Sequence, residues 1–431
     1  MTEEHTSDAD GAEPPDTDSE VAEPEATPLL TPADGVPELA VTTDQILAAA
    51  ELLAGGHGPF AIDAERASGF RYSNRAYLVQ IRREGAGTVL IDPVNHGEDP
   101  SMVMAPVADV LDTGEWVLHA ADQDLPCLAE LGMRPPKLYD TELAGRLAGF
   151  ARVNLATMVS ELLGLQLMKG HGAADWSMRP LPDDWLNYAA LDVEVLLELR
   201  DAIAAVLEEQ GKSEWAAEEF EHLRTYVGAP TRRDRWRRTS GIHKVRNPRA
   251  LAAVRELWTT RDEIARRRDI APGRILPDAA IINAATTDPD TVEKLTTLPV
   301  FGGSRQRRSA HVWLEALDRA RRNPDPPESA DATNGPPPPS RWARRKPEAA
   351  ARLEAARAGL AALSERVTVP AENLITPEVV RRLCWDWEPS GDTAAQVEEF
   401  LVGAQVRPWQ RQLVVPVLTA ALTPSAGEET L

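Results

Sequence analysis

The chain has 431 residues, 43% of them hydrophobic and 26% charged, which suits two or three globular domains rather than one. No run of about 18 apolar residues occurs, and the acidic N-terminus lacks the basic and apolar regions of a signal peptide, so we expect a cytoplasmic protein without membrane spans. The two cysteines, Cys127 and Cys384, lie far apart in apolar helical contexts. This excludes a disulfide framework and a cysteine-based zinc site, and predicts two core thiols.

The formal net charge of −22 is unevenly distributed along the chain. Residues 1–40 hold twelve Asp or Glu and no Lys or Arg, which leaves about −10 for the other 391 residues. This segment has too few apolar residues to bury a core, so we predict a disordered acidic leader over residues 1–42. The charge of the remaining chain does not exclude a nucleic-acid partner.

Residues 43–230 alternate short β-rich runs with helical stretches, which predicts an α/β domain whose mixed sheet is covered by helices. The predicted strands are Phe60–Ala64, Ala76–Arg82, Thr88–Ile91 and Trp116–His119. The predicted helices are Thr43–Ala54, Leu125–Gly132, Thr141–Ala148, Leu155–Leu163 and Asp183–Glu208.

Beyond this domain the strand patterns end, and Ala, Leu, Arg and Glu recur at helical spacing. The predicted divisions are a basic connector over 231–246, a helical domain over 247–322, a proline-rich linker over 323–347, a second helical domain over 348–422 and a frayed tail over 423–431. The first helical domain is predicted to contain helices at Pro248–Arg268, Asp278–Ala285, Asp290–Leu295 and Ser309–Arg322, and the second a helix over 348–366. The segment from Val369 resembles the one from Ile270, about 99 positions earlier, which predicts a weak internal repeat.

Asp63 and Glu65 stand two positions apart in the first predicted strand. Because side chains alternate along a strand, both carboxylates point to the same face and can share a metal ion. A D-x-E pair also occurs often by chance, so in isolation a solvated strand face is the favoured explanation of the pair.

Two further acidic positions follow: Asp124 at a junction between a strand and a helix, and Asp192 within a helix. Asp124 lies where the predicted strand Trp116–His119 gives way to a helix, a place where Asp also serves as an ordinary cap. Tyr188 and Asp192 have an i, i+4 spacing that places phenol and carboxylate on one helix face, as in many simple hydrogen-bonded pairs. Each motif alone therefore has a structural explanation.

Together, these motifs resemble those of the ribonuclease D family, in the tyrosine subclass of the DEDD exonucleases. The order is D-x-E, then Asp, then Y-x-x-x-D, and the flanking segments Leu118-His-Ala-Ala-Asp-Gln-Asp-Leu, Tyr139-Asp-Thr and Asp175-Trp-Ser-Met-Arg-Pro-Leu extend the resemblance over about residues 45–215. The resemblance implies a ribonuclease H-like mixed-sheet exonuclease domain. Residues 247–322 resemble the HRDC module through Pro248-Arg-Ala-Leu-Ala and Ile270-Ala-Pro-Gly-Arg-Ile-Leu-Pro-Asp, and the second helical domain resembles a divergent HRDC-like unit. The implied fold class is α/β followed by two small all-α domains.

The resemblance also implies the chemistry of the site. Asp63, Glu65, Asp124 and Asp192 would be the metal ligands, and Tyr188 would orient the attacking water. Carboxylates suit hard cations such as Mg²⁺ or Mn²⁺, and two such ions can support in-line phosphoryl displacement. Two departures from the family stand out: Ala64 replaces the usual Thr, and the stretch from Phe70 lacks its usual proline. His119 ends an apolar strand, and we interpret it as a structural, hydrogen-bonded histidine.

Candidate nucleic-acid contacts lie outside the carboxylate motifs. Lys169, Trp176 and Arg179 precede the last motif, although Trp176 fits a core position equally well. The connector is the most basic segment, with seven basic residues and one acid, and is interpreted either as an RNA guide or as a solvated linker. Its candidate residues are Arg232, Arg233, Arg235, Arg237 and Arg238.

The sequence therefore predicts a monomeric 3′–5′ exoribonuclease that releases nucleoside 5′-monophosphates, with tRNA precursors or other structured RNA as the substrates that the resemblance implies. One alternative is an exonuclease acting on single-stranded DNA. Another is a non-catalytic RNA-binding scaffold on a nuclease fold, which would be attractive if a carboxylate were missing.

Overall fold

The computed structural model describes residues 26–94, 99–168, 170–228, 234–328 and 335–423. Parts of several predictions lie outside these ranges: the start of the acidic leader, Lys169, Arg232 and Arg233 of the connector, the middle of the proline-rich linker, and nearly all of the tail. Within the described ranges, no helix combines the length and apolar character that a membrane span requires.

A six-stranded mixed sheet forms the centre of the N-terminal domain, with the strand order β2-β5-β4-β3-β6-β7. The central strands β3, β4 and β5 pair antiparallel, whereas β2, β6 and β7 join the sheet in parallel. The strands are β1 Thr27–Leu29, β2 Leu39–Ala40, β3 His57–Arg66, β4 Ala76–Glu84, β5 Gly87–Ile91, β6 Glu115–Leu118, β7 Lys137–Asp140 and β8 Leu165–Leu167. The first and last of these form a separate parallel pair.

Helices cover both faces of this sheet, as predicted. The helices of this domain are α1 Thr43–Ala54, α2 Pro100–Leu111, α3 Leu125–Glu130, α4 Thr141–Ala148, α5 Leu155–Leu163, α6 Asp183–Glu194, α7 Leu196–Glu209 and α8 Ser213–Arg224. Ala61 of β3 packs with α4, α5 and α7, and Phe60 faces α1, α2 and α3 on the other side. The single helix predicted over Asp183–Glu208 is two helices, because the chain leaves the regular helical ladder at Val195.

The C-terminal half is helical throughout its described part. The first helical domain contains α9 Pro248–Arg268, α10 Pro272–Ile275, α11 Asp278–Thr287, α12 Val292–Thr296, α13 Ser304–Arg308 and α14 Ala310–Arg322. The second contains α15 Trp342–Arg345, α16 Pro347–Val367, α17 Ala371–Leu374, α18 Pro377–Asp386, α19 Thr393–Gly403 and α20 Pro408–Leu422.

The two helical domains repeat one another more closely than their sequences do. Helices α9, α10 and α11 have the same lengths as α16, α17 and α18, and each pair begins 99 positions apart (248 to 347, 272 to 371, 278 to 377). The residues that end the two long helices, Asp269 and Thr368, both have left-handed backbones, with φ of 47° and 52°. The structure thus supports the predicted internal repeat.

Two predicted boundaries are wrong. The leader was predicted to be disordered to residue 42, but Thr27–Leu29 pairs with β8 and Leu39–Ala40 extends the main sheet. Leu29 and Leu39 pack against apolar clusters, which supplies the burial that the average composition concealed. The linker was predicted to reach residue 347, but the fully buried Trp342 belongs to the core of the second helical domain and donates from Nε1 to the Pro337 carbonyl over 2.6 Å.

Both helical domains dock on the N-terminal sheet domain through the turn that follows their long helix. Asp269 accepts hydrogen bonds from the backbone amides of Tyr72 and Ser73, over 3.2 and 2.8 Å. In the second repeat, Lys212 donates from Nζ to the Thr368 carbonyl over 3.3 Å. The second domain also shares a continuous apolar core with the sheet domain, so its docking is the more extensive of the two.

Candidate active site

Strand β3 carries the first two carboxylates, Asp63 and Glu65, at its C-terminal end. They leave the strand on the same face as Ala61, while Ala64 between them packs in the core on the opposite face. Asp63 accepts a hydrogen bond from Gln80 Nε2 on the neighbouring strand, over 2.8 Å. The departure at Ala64 therefore points away from the carboxylates and leaves their arrangement unaltered.

Asp124 is positioned by a sharp turn after β6. Ala120 in this turn has a positive φ of 60°, and its amide and that of Ala121 donate to the carboxylate of Asp140, over 3.3 and 2.7 Å. Asp124 directly precedes α3 but makes no side-chain cap hydrogen bond. Its Oδ1 is buried and has no hydrogen-bond partner, so the alternative of an ordinary helix cap does not hold.

Helix α6 brings Tyr188 and Asp192 to the same place. One carboxylate oxygen each from Asp63, Glu65 and Asp192 lies within 4.8 Å of the other two. Among the described residues, this is the group of three side chains close enough to hold a metal ion together. A Cβ at Gly170 would stand 1.8 Å from the Tyr188 ring, so the loop before α6 packs its bare backbone directly against the phenol. His171 adds an edge contact to the same ring at 5.8 Å between centroids.

The carboxylates raise one another's pKa values. Burial, followed by the charges of Asp63, Asp192 and Asp124, raises the pKa of Glu65 to about 10. Burial and the neighbouring Asp63 also hold the pKa values of Asp124 and Asp192 well above the ordinary range. Such a concentration of buried acid is unfavourable in its ionised form unless cations neutralise it.

The donor set fits divalent cations. All four side chains offer carboxylate oxygens, the ligands that Mg²⁺ and Mn²⁺ prefer. The buried Asp124 Oδ1 accepts no hydrogen bond, and Arg66 NH2 lies 3.3 Å from it. The carboxylates line a cleft of about 370 Å³ whose lining also includes the apolar side chains of Leu155, Leu167 and Met168. A nucleotide phosphate facing the acids would thus have an apolar surface beside its sugar and base.

Tyr188 is a neutral hydrogen-bonding group here. Burial, then the charge of Asp192 and the hydrogen bond to it, raise the pKa of the Tyr188 phenol above its ordinary value. A phenol with a raised pKa keeps its proton and does not act as a base at neutral pH.

His119 lines the cleft but is structural, as predicted. Its Nδ1 lies 2.9 Å from the Thr141 hydroxyl, and burial lowers the pKa of His119 to about 4. The ring is therefore neutral at physiological pH. Both cysteines are also buried free thiols, as predicted.

Trp176 and Arg179 require a correction, because neither is available to contact nucleic acid. Trp176 is fully buried and packs against Trp185, 5.1 Å between ring centroids. Arg179 donates to Asp92 Oδ2 over 2.6 Å and to the Tyr77 carbonyl over 2.8 Å, which ties the loop before α6 to β4. Both residues position α6, and Lys169 lies outside the described residues.

The basic connector is divided by the fold. Arg235 and Arg238 line a cleft of about 740 Å³ between the sheet domain and the first helical domain, together with Arg71, Tyr72 and Trp258. Arg237 does not join this cleft, because its guanidinium lies over the Trp236 ring at 4.4 Å and donates to the Glu328 carbonyl. The candidate role of Arg237 in nucleic-acid binding therefore stays a prediction outside this cleft.

Sequence reasoning missed three residues that shape the site: Arg66, Gln80 and Asp140. Gln80 and Asp140 are buried polar side chains in apolar strands, a pattern that indicates a specific hydrogen-bonding task. Arg66 directly follows the D-x-E motif, and its NH2 lies 3.3 Å from Asp124 Oδ1.

Comparisons with known proteins agree with this architecture. Residues 39–208 match the family model described as 3′–5′ exonuclease, residues 250–317 match the HRDC domain, and residues 335–422 match the 3′ to 5′ exonuclease C-terminal domain. Ribonuclease D of Granulibacter bethesdensis is 32% identical over 298 residues, covering 67% of this chain and 73% of the relative. Ribonuclease D of Acidiphilium cryptum is 33% identical over 325 residues, covering 72% and 80%.

Solved structures give the same result at the level of the fold. A crystal structure of a protein from Bifidobacterium adolescentis matches with a TM-score of 0.83 and 36% identity, covering 92% of this chain and all (100%) of that one. The Escherichia coli RNase D structure matches with a TM-score of 0.65 and 22% identity, covering 89% and 98%. On these similarities, together with the four carboxylates and the tyrosine gathered in one cleft, the chain belongs to the ribonuclease D family of hydrolytic 3′–5′ exonucleases acting on RNA.

Proposed function

We propose that this chain shortens RNA from its 3′ end, with tRNA precursors or other structured RNA as substrates, and that two divalent cations, Mg²⁺ or Mn²⁺, assist each hydrolysis. The observation that carries the proposal is the convergence of Asp63, Glu65, Asp124 and Asp192 from three separate elements on one cleft beside Tyr188. A decayed scaffold would have no reason to retain four mutually repelling acids.

The proposed roles follow from position and charge. Asp63, Glu65 and Asp192 form one ligand set, and Asp63 with Asp124 forms a second. Gln80 fixes Asp63 by donating to its Oδ2, so that the remaining oxygen faces the cleft. Two bound cations would activate a water molecule and stabilise the departing 3′ oxygen.

Tyr188 would hold the attacking water in line with the scissile phosphorus. Its phenol keeps its proton, because the pKa is raised by burial and by Asp192, and it therefore positions this water by hydrogen bonding. The reaction breaks the bond between phosphorus and the 3′ oxygen and releases a nucleoside 5′-monophosphate.

The cleft between the domains would hold the RNA upstream of its 3′ end. Ser68 lines this cleft and Arg66 lines the carboxylate site, so the two sites are only two residues of chain apart, at most about 7 Å. Arg235 and Arg238 supply charge for phosphates, and the half-buried Trp258 supplies a ring edge against which a base can pack.

We also propose a cytoplasmic monomer. The two buried free thiols suit a reducing compartment, and the docking of both helical domains on the nuclease domain within one chain requires no second copy.

The test is digestion of 3′-extended tRNA, unstructured RNA and single-stranded DNA in parallel, with Mg²⁺ and Mn²⁺ compared. Asp192→Asn removes one ligand at constant size, and Asp201→Asn on the exposed side of α7 is the matched control. We expect mononucleotides from both RNAs, none from Asp192→Asn despite retained RNA binding, and unchanged release from Asp201→Asn. Faster digestion of DNA would favour the DNA exonuclease alternative, and absence of metal-dependent release from the unaltered chain would favour a scaffold.

A further inference from the structure

Arg66 is the one basic side chain that reaches the carboxylates within the described residues lining their cleft. Its NH2 lies 3.3 Å from Asp124 Oδ1 and donates to Gln123 Oε1 over 3.4 Å. The Arg66 side chain keeps 22% of its surface exposed, against 6% for Asp124. The guanidinium is therefore the more solvent-accessible partner of a buried acid.

Arg66 ends β3, where the pairing with β4 changes register between Glu65 and Arg66. Among the four acids its ion pair is with Asp124, directly before α3, although its charge also acts to lower the pKa values of Asp63 and Glu65. Asp63 and Glu65 form the group of three with Asp192. The four acids are thus unequal: three form a group, and the fourth is paired with a guanidinium.

We propose that Arg66 serves as the resident cation at Asp124, that a divalent ion can bind there only when the guanidinium withdraws, and that a nucleotide phosphate in the cleft receives it. This inference rests on the proposed function and assigns Arg66 a positioning role in it: the guanidinium occupies Asp124 until substrate is bound.

Charge supports this role. A guanidinium stays protonated at any pH at which the protein is folded, so it cannot make room for a second cation by losing its charge. Two cations on one carboxylate oxygen repel each other strongly in a site screened from water. A phosphate offers the guanidinium two oxygens in the planar geometry that it prefers, which compensates for leaving Asp124.

The experiment is titration calorimetry of the full chain with Mn²⁺ alone, and again with adenosine 5′-monophosphate as the phosphate probe. We expect the unaltered chain to bind one ion without the nucleotide and two with it. Arg66→Met, which keeps the stem and removes the charge, should bind two ions without the nucleotide, the second at least about tenfold more tightly than in the unaltered chain. Arg134→Met, at an exposed loop position, is the matched control and should behave as the unaltered chain does.

Two further variants keep the test decisive. Arg66→Lys retains the charge and should again bind one ion, and Asp124→Asn combined with Arg66→Met should lose the additional ion. Thermal melts of each variant report whether it is folded. The proposal is refuted if the unaltered chain binds two ions with similar affinity without the nucleotide, or if a folded Arg66→Met leaves the second affinity unchanged.

Release of mononucleotides by the unaltered chain is measured in parallel, so that two failures can be told apart. Normal metal-dependent release with no effect of Arg66→Met on ion binding refutes only the role of Arg66. Absence of release refutes the proposed function itself.

Discussion

Replacing Glu65 with Gln should stabilise the metal-free protein while abolishing its activity. The pKa of Glu65 is raised from 4.5 to about 10, because the carboxyl is buried among three other acids. The folded, metal-free chain therefore retains a proton that the unfolded chain releases above about pH 4. The contribution of this group to stability is complete below that pH and is lost progressively as the pH rises towards 10.

The size of the effect follows from the same interval. Between the unfolded pKa and pH 7 lie about 2.5 pH units, at about 1.4 kcal/mol per unit, which corresponds to about 3–4 kcal/mol. Gln at position 65 carries no such cost, and its amide can donate to the neighbouring carboxylates. We expect the melting temperature of metal-free Glu65→Gln at pH 7 to exceed that of the unaltered chain by roughly 5–10 °C.

Divalent metal should reverse the order of the two proteins. At about ten thousand times its dissociation constant, Mn²⁺ adds about 5.5 kcal/mol to a protein that binds it. This exceeds the advantage of Glu65→Gln, which lacks one ligand for the ion. Thermal melts at pH 5 and pH 7, with chelator and with Mn²⁺, provide the assay, and Glu51→Gln on the exposed face of α1 is the control. If metal-free Glu65→Gln melts at or below the unaltered chain at pH 7, burial and the neighbouring acids do not raise the pKa of Glu65 as inferred.

Other changes have equally specific outcomes. Tyr188→Phe should lower kcat by about 10²–10⁴-fold and leave KM and Mn²⁺ affinity nearly unchanged, because only the hydrogen bond to water is lost; an equal loss in metal affinity would contradict this. Arg179→Met should destabilise the fold by about 2–4 kcal/mol, because the fully buried Asp92 loses its cationic partner, yet RNA binding below the melting temperature should persist. Reduced RNA affinity of folded Arg179→Met would instead support a direct contact between Arg179 and RNA. The pKa of His119 is lowered to about 4, so on acidification the unfolded chain binds a proton at this histidine before the folded chain does, and the free energy of unfolding falls as the pH drops from about 6.5 to 4. His119→Gln should lessen that fall, measured by urea unfolding across this pH range. An unchanged dependence of stability on pH would refute the prediction.

The sequence predicted the catalytic domain well because its elements carry strong local signals. Strands β4 and β5 are apolar runs bounded by turns, and α1 starts with a Thr42 capping box, so local pattern and tertiary burial agree. The prediction of a disordered leader was wrong because the order of this segment does not come from a local signal. Thr27–Leu29 pairs with β8, more than 130 positions later, and Leu29 packs against an apolar cluster. Composition averaged over forty residues cannot register such contacts.

The sequence predicted which acids lie together in one cleft, but not the contacts of the residues around them. The order of the motifs predicted that Asp63, Asp124 and Asp192 lie close together, because each stands at the end or on the inner face of a well-defined element. Trp176 and Arg179 were candidates because aromatic and basic residues near an active site suggest contact with RNA. The structure shows that these two residues pack instead within the protein, where both anchor the loop that leads into α6.

Digestion in H₂¹⁸O tests the central claim most directly. If the carboxylates and Tyr188 direct water at the terminal phosphodiester, mass spectrometry of RNA digested with Mn²⁺ will find one ¹⁸O in the phosphate of each released nucleoside 5′-monophosphate and none in the shortened RNA. Asp192→Asn should yield no labelled nucleotide. Released nucleotides without the label, or products ending in a 3′-phosphate, would contradict hydrolysis at this site.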